Sequence, residues 1–149
     1  MTNQRLLLGA TLTYSGNPMQ SAWEDAVKID TQGGVLIENG RIAAVGKGDA
    51  LRAAHPQAEV TRYADALICP GFVDAHVHYP QTAIIASWGK RLIDWLNHYT
   101  FPEEMRFADP AHARAVAGRY LDLLLDHGTT SVCTYCTIHP ASVDAIFEA

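Results

Sequence analysis

The sequence predicts an α/β protein made of two regions, and three observations support this assignment. Residues 1–68 read as a run of short strands separated by turns and one brief helix. Residues 69–149 alternate strands with helices, a pattern typical of parallel βα units. Two histidines one residue apart, His76 and His78, end the first strand of the second region and point to a metal site there.

The first region carries the signals of a small β-rich domain. Asn39-Gly40 separates two apolar segments and predicts a tight hairpin turn. A short helix is expected over residues 49–55, because Pro56 prevents its continuation. The predicted strands are residues 5–13, 26–29, 35–38, 41–45 and 60–63.

The segment of residues 70–81 reads PGFVDAHVHYPQ, an apolar strand that ends in the two histidines. Alternate side chains of a strand share a face, so Asp74, His76 and His78 lie together. Their Cα atoms are ~6.6 Å apart, which lets both imidazoles reach one ion at about 2.1 Å from each nitrogen. Nitrogen ligands favour zinc over iron(II) or manganese, and Asp74 is expected to orient a ligand or a neighbouring strand. The competing interpretation is an ordinary structural histidine pair.

The clearest helix of the second region is expected over residues 109–127. Asp109 suits its N-cap, and Gly128 suits a left-handed stop. A β-branched run over residues 129–138 predicts the next strand, and another helix begins in residues 142–149. The first helix has an apolar face that should pack on the sheet, formed by Ala113, Val116, Ala117, Tyr120, Leu121 and Leu124.

The composition excludes several classes of function. A net charge of −5 with a pI near 5.7 argues against binding to a nucleic acid backbone. A hydrophobic fraction of 48% beside 18% charged residues is typical of a soluble globular domain, and no apolar run is long enough to span a membrane. Without a convincing signal peptide, the three cysteines are expected to be reduced in the cytoplasm.

Cys133 and Cys136 form a C-x-x-C pair, which can indicate redox chemistry or zinc binding. The pair falls inside the predicted second strand, where an offset of three sends the two thiols to opposite faces. Buried structural thiols are therefore the preferred interpretation. Cys69 is likewise expected to pack within a strand.

The remaining histidines receive no chemical role. His127 can meet the C-terminus of a helix favourably. His139 follows the second strand at the end where a site should lie, but one histidine before a proline does not identify a ligand. Solvated positions are expected for His55, His98 and His112. Trp88 and Trp95 could pack in the core or line a pocket, and core packing is the preferred interpretation.

Three features beyond the histidine pair carry a resemblance to a known family. Pro80-Gln81 follows His78, residues 94–104 read DWLNHYTFPEE, and residues 128–131 read GTTS. With these features the sequence resembles the guanine deaminase family of the amidohydrolase superfamily, over most of residues 70–140. The resemblance implies that residues 69–149 begin a (β/α)8 TIM-type barrel. It also implies that residues 1–68 are part of the small β-rich domain that precedes such a barrel.

The same resemblance implies a site and a reaction. One zinc ion is expected on His76 and His78, and the amide of Gln81 is expected to recognise a purine edge. By spacing alone, an ordinary loop amide is the preferred interpretation of Gln81, and the resemblance reverses that preference. The implied reaction converts guanine and water to xanthine and ammonia in purine catabolism, and the full-length enzyme is expected to form a homodimer.

The length of the chain limits these expectations. A complete barrel needs about 250 residues, so residues 69–149 supply roughly two of its eight βα units, and the chain is expected to be truncated. Catalytic zinc has three protein ligands, so no catalytic residue is assigned and the isolated chain is expected to be inactive. Two alternatives remain open. One is another amidohydrolase acting on a different aminoheterocycle or a cyclic amide, and the other is a non-catalytic product.

Overall fold

The computed structural model describes residues 3–149, which divide into two compact units. The first unit ends at Pro70 and the second begins at Gly71. The assignment of residues 1–68 and 69–149 to two larger domains stays a prediction. None of the helices described between residues 3 and 149 is long and apolar enough to cross a membrane.

The first unit is built on a four-stranded sheet with the order β3-β2-β1-β4. Its central strand β1 pairs antiparallel with β2 and parallel with β4. A short helix α1 precedes β2, and α2 follows β3. The bounds are β1 Gln4–Tyr14, α1 Trp23–Ala26, β2 Val27–Glu38, β3 Arg41–Lys47, α2 Gly48–Ala54 and β4 Glu59–Ile68.

The turn between β2 and β3 confirms the predicted hairpin. Asn39 and Gly40 both adopt positive φ angles, 52° and 77°, as a type I′ turn requires. The strands that it joins pair in antiparallel register from Glu38 and Arg41 onward. The predicted helix over residues 49–55 is also present as α2.

Strand β2 corrects the prediction of two separate strands at residues 26–29 and 35–38. The polar and glycine-rich stretch between them has no strand periodicity, yet it continues the ladder with β1. Gly33 lies so close to Thr11 that an added Cβ would stand 2.2 Å from the threonine Oγ1. Pairing with the neighbouring strand therefore decides the conformation here, where local propensity is weak.

The second unit contains two parallel strands, each followed by helical segments. Strands β5 and β6 pair from Phe72 with Thr129 to His78 with Tyr135, which confirms the predicted βα arrangement. The bounds are β5 Phe72–His78, a 3-10 helix Tyr79–Ile84, α3 Leu92–Trp95, a π-helical turn Leu96–Thr100, α4 Phe101–Met105, a 3-10 turn Arg106–Ala108, α5 Pro110–Asp126, β6 Thr129–Tyr135 and α6 Pro140–Glu148.

Helix α5 has the ends that the sequence predicts. The Asp109 carboxylate accepts a hydrogen bond from the backbone N–H of Ala111 at 2.9 Å, and Gly128 has a φ of 78° beyond the helix C-terminus. The predicted apolar face packs inward. Ala113, Ala117 and Tyr120 are buried in a core with Tyr79, Phe107 and Ala145.

The cysteines correct another expectation. Cys69 and Cys133 are exposed, whereas Cys136 is half-buried against the core of the second unit, where burial raises the pKa of its thiol. Cys133 is exposed because it shares with Ser131 and Tyr135 the face of β6 that the second unit leaves uncovered. The strand pattern identifies which residues share a face, but it cannot say whether another element covers that face.

Candidate metal centre

His76 and His78 lie side by side at the carboxyl end of β5. Their ring centres are 5.4 Å apart. Two imidazoles that share one tetrahedral ion at about 2.0–2.1 Å from each nitrogen have ring centres about 5 Å apart. The donor set and its spacing therefore fit a divalent metal ion. The role of the pair as metal ligands stays a prediction.

Asp74 acts on the backbone of the pair. Its carboxylate oxygen accepts a hydrogen bond from the N–H of His76 at 3.1 Å. The register of β5 against β6 shifts between Asp74 and Val77, so this carboxylate takes a backbone donor at an irregular point of the strand. Val77 meanwhile packs against the core of the second unit. Asp74 thus fixes the chain from which His76 projects.

Tyr135 is a site residue that sequence reasoning missed. Its ring stacks on His78 with centres 4.7 Å apart and an angle of 15° between the planes. Its centre is also 4.9 Å from that of His76. The parallel register of the two strands places Tyr135 directly beside His78. Because the carboxyl ends of neighbouring parallel strands meet, the position of Tyr135 near the end of the second predicted strand was the sequence signal that could have identified it.

The turn that follows the histidine pair is anchored by Tyr79. Its side chain is fully buried, and its hydroxyl donates a hydrogen bond to the Ser142 carbonyl oxygen. Its backbone N–H donates to the Thr134 hydroxyl at 3.2 Å, while Thr82 donates to the Tyr79 carbonyl at 2.6 Å. Burial raises the pKa of Tyr79 to about 12. These bonds hold the 3-10 helix that carries Gln81.

Gln81 is half-buried and bonds to a residue from helix α4. Its amide nitrogen donates a hydrogen bond to a carboxylate oxygen of Glu104 at 3.0 Å. Glu104 belongs to the segment DWLNHYTFPEE, but nothing in that local pattern shows that it meets Gln81. The two residues are 23 positions apart in the sequence. The role of Gln81 in substrate binding stays a prediction.

A cavity of about 500 Å³ within the second unit is shared by the histidine pair and Gln81. His76, His78 and Gln81 line it with a largely apolar remainder that includes Ile84, Trp95 and Leu124. The preferred expectation of core packing is wrong for both tryptophans, and the alternative of lining a pocket holds for Trp95. Trp95 lines the cavity and donates through its indole N–H to the Ser87 carbonyl, and Trp88 is 75% exposed.

Glu103, next to Glu104, forms a buried polar cluster. Its carboxylate pairs with the Arg106 guanidinium at 2.7 Å and lies 3.3 Å from Nε2 of His112. His112 packs edge-on against Phe107 at 5.0 Å and is largely buried, so the expectation that it is solvated is wrong. The sequence did not reveal that His112 contacts Glu103, because Glu103 lies in α4 and His112 lies in α5.

The other histidines of residues 3–149 do not join His76 and His78 to form a larger group of potential metal ligands. His127 places Nδ1 2.8 Å from the carbonyl oxygen of Leu123, which matches its expected contact with a helix C-terminus. Among residues 3–149, no group of three or more histidine, cysteine, aspartate or glutamate side chains is arranged to hold a metal ion. The described part of the chain therefore places only the two predicted ligands, His76 and His78, together at this site.

Comparison with known proteins reveals clear relatives. The family model described as "Amidohydrolase family" matches residues 67–149. The model described as "Imidazolonepropionase-like composite domain, bacteria" matches residues 33–58. The guanine deaminase of Escherichia coli is 39% identical over 134 residues, which are 89% of this chain and 30% of that protein.

Solved structures agree with this similarity. The guanine deaminase from Bradyrhizobium japonicum matches with a TM-score of 0.85 and 31% identity, over 98% of this chain and 32% of that one. A guanine deaminase from C. acetobutylicum with guanine bound in its active site matches with a TM-score of 0.75 and 28% identity, over 98% and 33% of the two chains. The chain spans about 30% of the length of the curated relatives that it matches.

Proposed function

Because this chain belongs to the amidohydrolase family, we propose that it is the amino-terminal part of a zinc-dependent guanine deaminase. The enzyme converts guanine and water to xanthine and ammonia. The observation that carries the proposal is the shared cavity, in which the closely spaced His76 and His78 rings lie with the amide of Gln81. The similarity to guanine deaminases, one of which has guanine bound in its active site, supports guanine as the proposed substrate.

His76 and His78 would hold the metal through neutral imidazole nitrogens. Zinc is the proposed ion because it accepts nitrogen ligands readily in tetrahedral sites. When bound, it supplies the Lewis-acid chemistry that makes water nucleophilic at neutral pH. Tyr135 stacks on His78 and restricts the ring, while Asp74 restricts the His76 backbone. Both contacts reduce the conformational freedom that metal binding would otherwise have to remove.

Gln81 would orient the purine ring. Its amide can present an acceptor and a donor to a heterocyclic edge, and the apolar walls at Ile84 and Trp95 suit a flat aromatic ring. In the overall reaction a carbon–oxygen bond forms from water at the ring carbon that bears the amino group, and the carbon–nitrogen bond breaks. One proton of water leaves with the amine as ammonia, and the other ends on xanthine.

The remaining catalytic groups are proposed to come from the rest of the protein. Catalytic zinc sites use three protein ligands, and the described part of this chain brings two histidines together. The isolated chain of 149 residues is therefore expected to be inactive. For the complete protein we propose a cytoplasmic homodimer that acts on a small molecule and binds neither nucleic acid nor membrane.

The test is an assay of the complete metal-loaded protein with guanine, in which xanthine and ammonia are both quantified. The double variant His76→Ala, His78→Ala should lose bound zinc and turnover. His98→Ala is the matched control because His98 is exposed and lies outside the cavity. Turnover of another aminoheterocycle or a cyclic amide in place of guanine would contradict the proposed substrate. Full activity and zinc content in the double variant would contradict the proposed ligands.

A further inference from the structure

The hydrogen bond between Gln81 and Glu104 determines which end of the Gln81 amide faces the carboxylate. An ionised carboxylate only accepts hydrogen bonds, so the NH₂ group of Gln81 must face Glu104, at 3.0 Å. The reverse orientation would bring the amide oxygen against a negative oxygen. The carbonyl oxygen and the second N–H of Gln81 are then the groups left for other partners.

We propose that Glu104 is a positioning residue that holds the Gln81 amide in one orientation, so that its carbonyl oxygen serves as the acceptor for the substrate. This inference rests on the proposed function, because it assigns Gln81 to the substrate. An amide that rotates freely presents oxygen or nitrogen with similar ease, whereas an amide held by a carboxylate presents its oxygen. The preferred substrate is therefore a heterocycle whose edge combines an N–H donor with a neighbouring acceptor.

The orientation of helix α4 supports the assignment. Glu103 and Glu104 are consecutive, yet they serve different partners. Glu103 is 7% exposed and bonds to Arg106, and it also lies beside His112 from α5. The contact with His112 links α4 to α5 and limits the rotation of the short helix about its axis. Glu104, one position further, is thereby directed toward Gln81.

The kinetic test uses the complete protein and the variant Glu104→Ala. Without the carboxylate, Gln81 loses its fixed orientation and with it much of one hydrogen bond to guanine, so the KM for guanine should rise about 3- to 10-fold while kcat changes less. Glu104→Gln restores an acceptor and should recover most of the affinity. Because Glu104 acts through Gln81, the substitution should have little further effect on KM in a Gln81→Ala background. An unchanged KM in Glu104→Ala, or an undiminished effect in that background, would overturn the proposal.

Glu103→Gln is the matched control from the same helix. Glu103→Gln keeps the size of the side chain and an oxygen that can accept from the Arg106 guanidinium, so helix α4 keeps its orientation, but it removes the charge of a largely buried carboxylate. The substitution should therefore lower Tm and leave the KM for guanine close to that of the wild type. Glu104→Ala should show the opposite pattern, with a raised KM and a nearly unchanged Tm. If both variants lowered Tm and raised KM together, Glu104 would be a structural residue and the positioning role would be wrong.

A second measurement separates this inference from the proposed function. The side-chain ¹⁵N amide signals of Gln81 can be assigned in the complete protein by their absence in Gln81→Ala. Their protons should exchange slowly with solvent in the wild type and several times faster in Glu104→Ala. Equal exchange in both proteins would overturn the positioning role even if guanine is deaminated. A complete protein inactive on guanine would refute the proposed function and its substrate, while protected amide protons would still show that Glu104 holds the amide.

Discussion

Tyr79 links the stability of the second unit to alkaline pH. Its ring is fully buried between Phe107 and Tyr120, and burial raises its pKa from the ordinary value of 10.0 to about 12. The folded state therefore holds this proton more tightly than the unfolded state does. The resulting stabilisation is complete below the unfolded pKa of 10.0 and is lost as pH rises through about 12.

The size of this effect follows from the shift. One pKa unit corresponds to about 1.4 kcal/mol, so the full loss is about 2.7 kcal/mol, of which about half is reached near pH 11. The variant Tyr79→Phe keeps the ring and loses the hydroxyl, which donates to the Ser142 carbonyl oxygen. That loss should cost about 1 kcal/mol at pH 8, the net value of an ordinary hydrogen bond. The variant should then become the more stable protein somewhat above pH 10.

Two measurements on the complete protein test this prediction. A spectroscopic titration of tyrosinate, taken as the difference between wild type and Tyr79→Phe, should show one step centred near pH 12. Denaturant unfolding midpoints between pH 8 and pH 11.5 should reveal the reversal of the stability order. A step near pH 10, or a stability difference that stays constant across this range, would refute the reasoning.

Three further predictions concern stability and solubility. Asp109→Ala should remove the N-cap bond to Ala111 and lower the free energy of unfolding by about 1 kcal/mol, whereas Asp109→Ser should cost little in the same denaturant titration. Gly33→Ala should lower the free energy of unfolding by about 1–3 kcal/mol, because the added Cβ would overlap Thr11. Unchanged stability would contradict the close approach of Gly33 in β2 to Thr11 in β1. The isolated chain should bind a hydrophobic dye and associate in light scattering, since apolar side chains such as Phe72 are exposed, and a monomer without dye binding would contradict this.

Local signals in the sequence predicted the elements that depend on local chemistry. The turn at Asn39-Gly40 and the cap at Asp109 involve contacts within a few residues, and both are present. The histidine pair could be placed on one face because the strand period requires only the residue spacing. His76 and His78 accordingly share one side of the strand.

Contacts between distant segments could not be read in the same way. Tyr135 reaches His78 only through the register of two strands that are separated by the whole of helix α5. Glu104 meets Gln81 because two buried anchors, Tyr79 and Glu103, fix the intervening segments. These side chains are polar or amphipathic, and their pattern in the sequence is equally compatible with a solvated surface.

The most direct test of the account is the release of xanthine and ammonia from guanine by the complete zinc-loaded protein, measured beside the variant His76→Ala, His78→Ala. The account predicts turnover by the wild type in equal amounts of the two products, and loss of both zinc and turnover in the variant. Absence of guanine turnover by the zinc-loaded wild type, or activity that survives removal of both histidines, would contradict it.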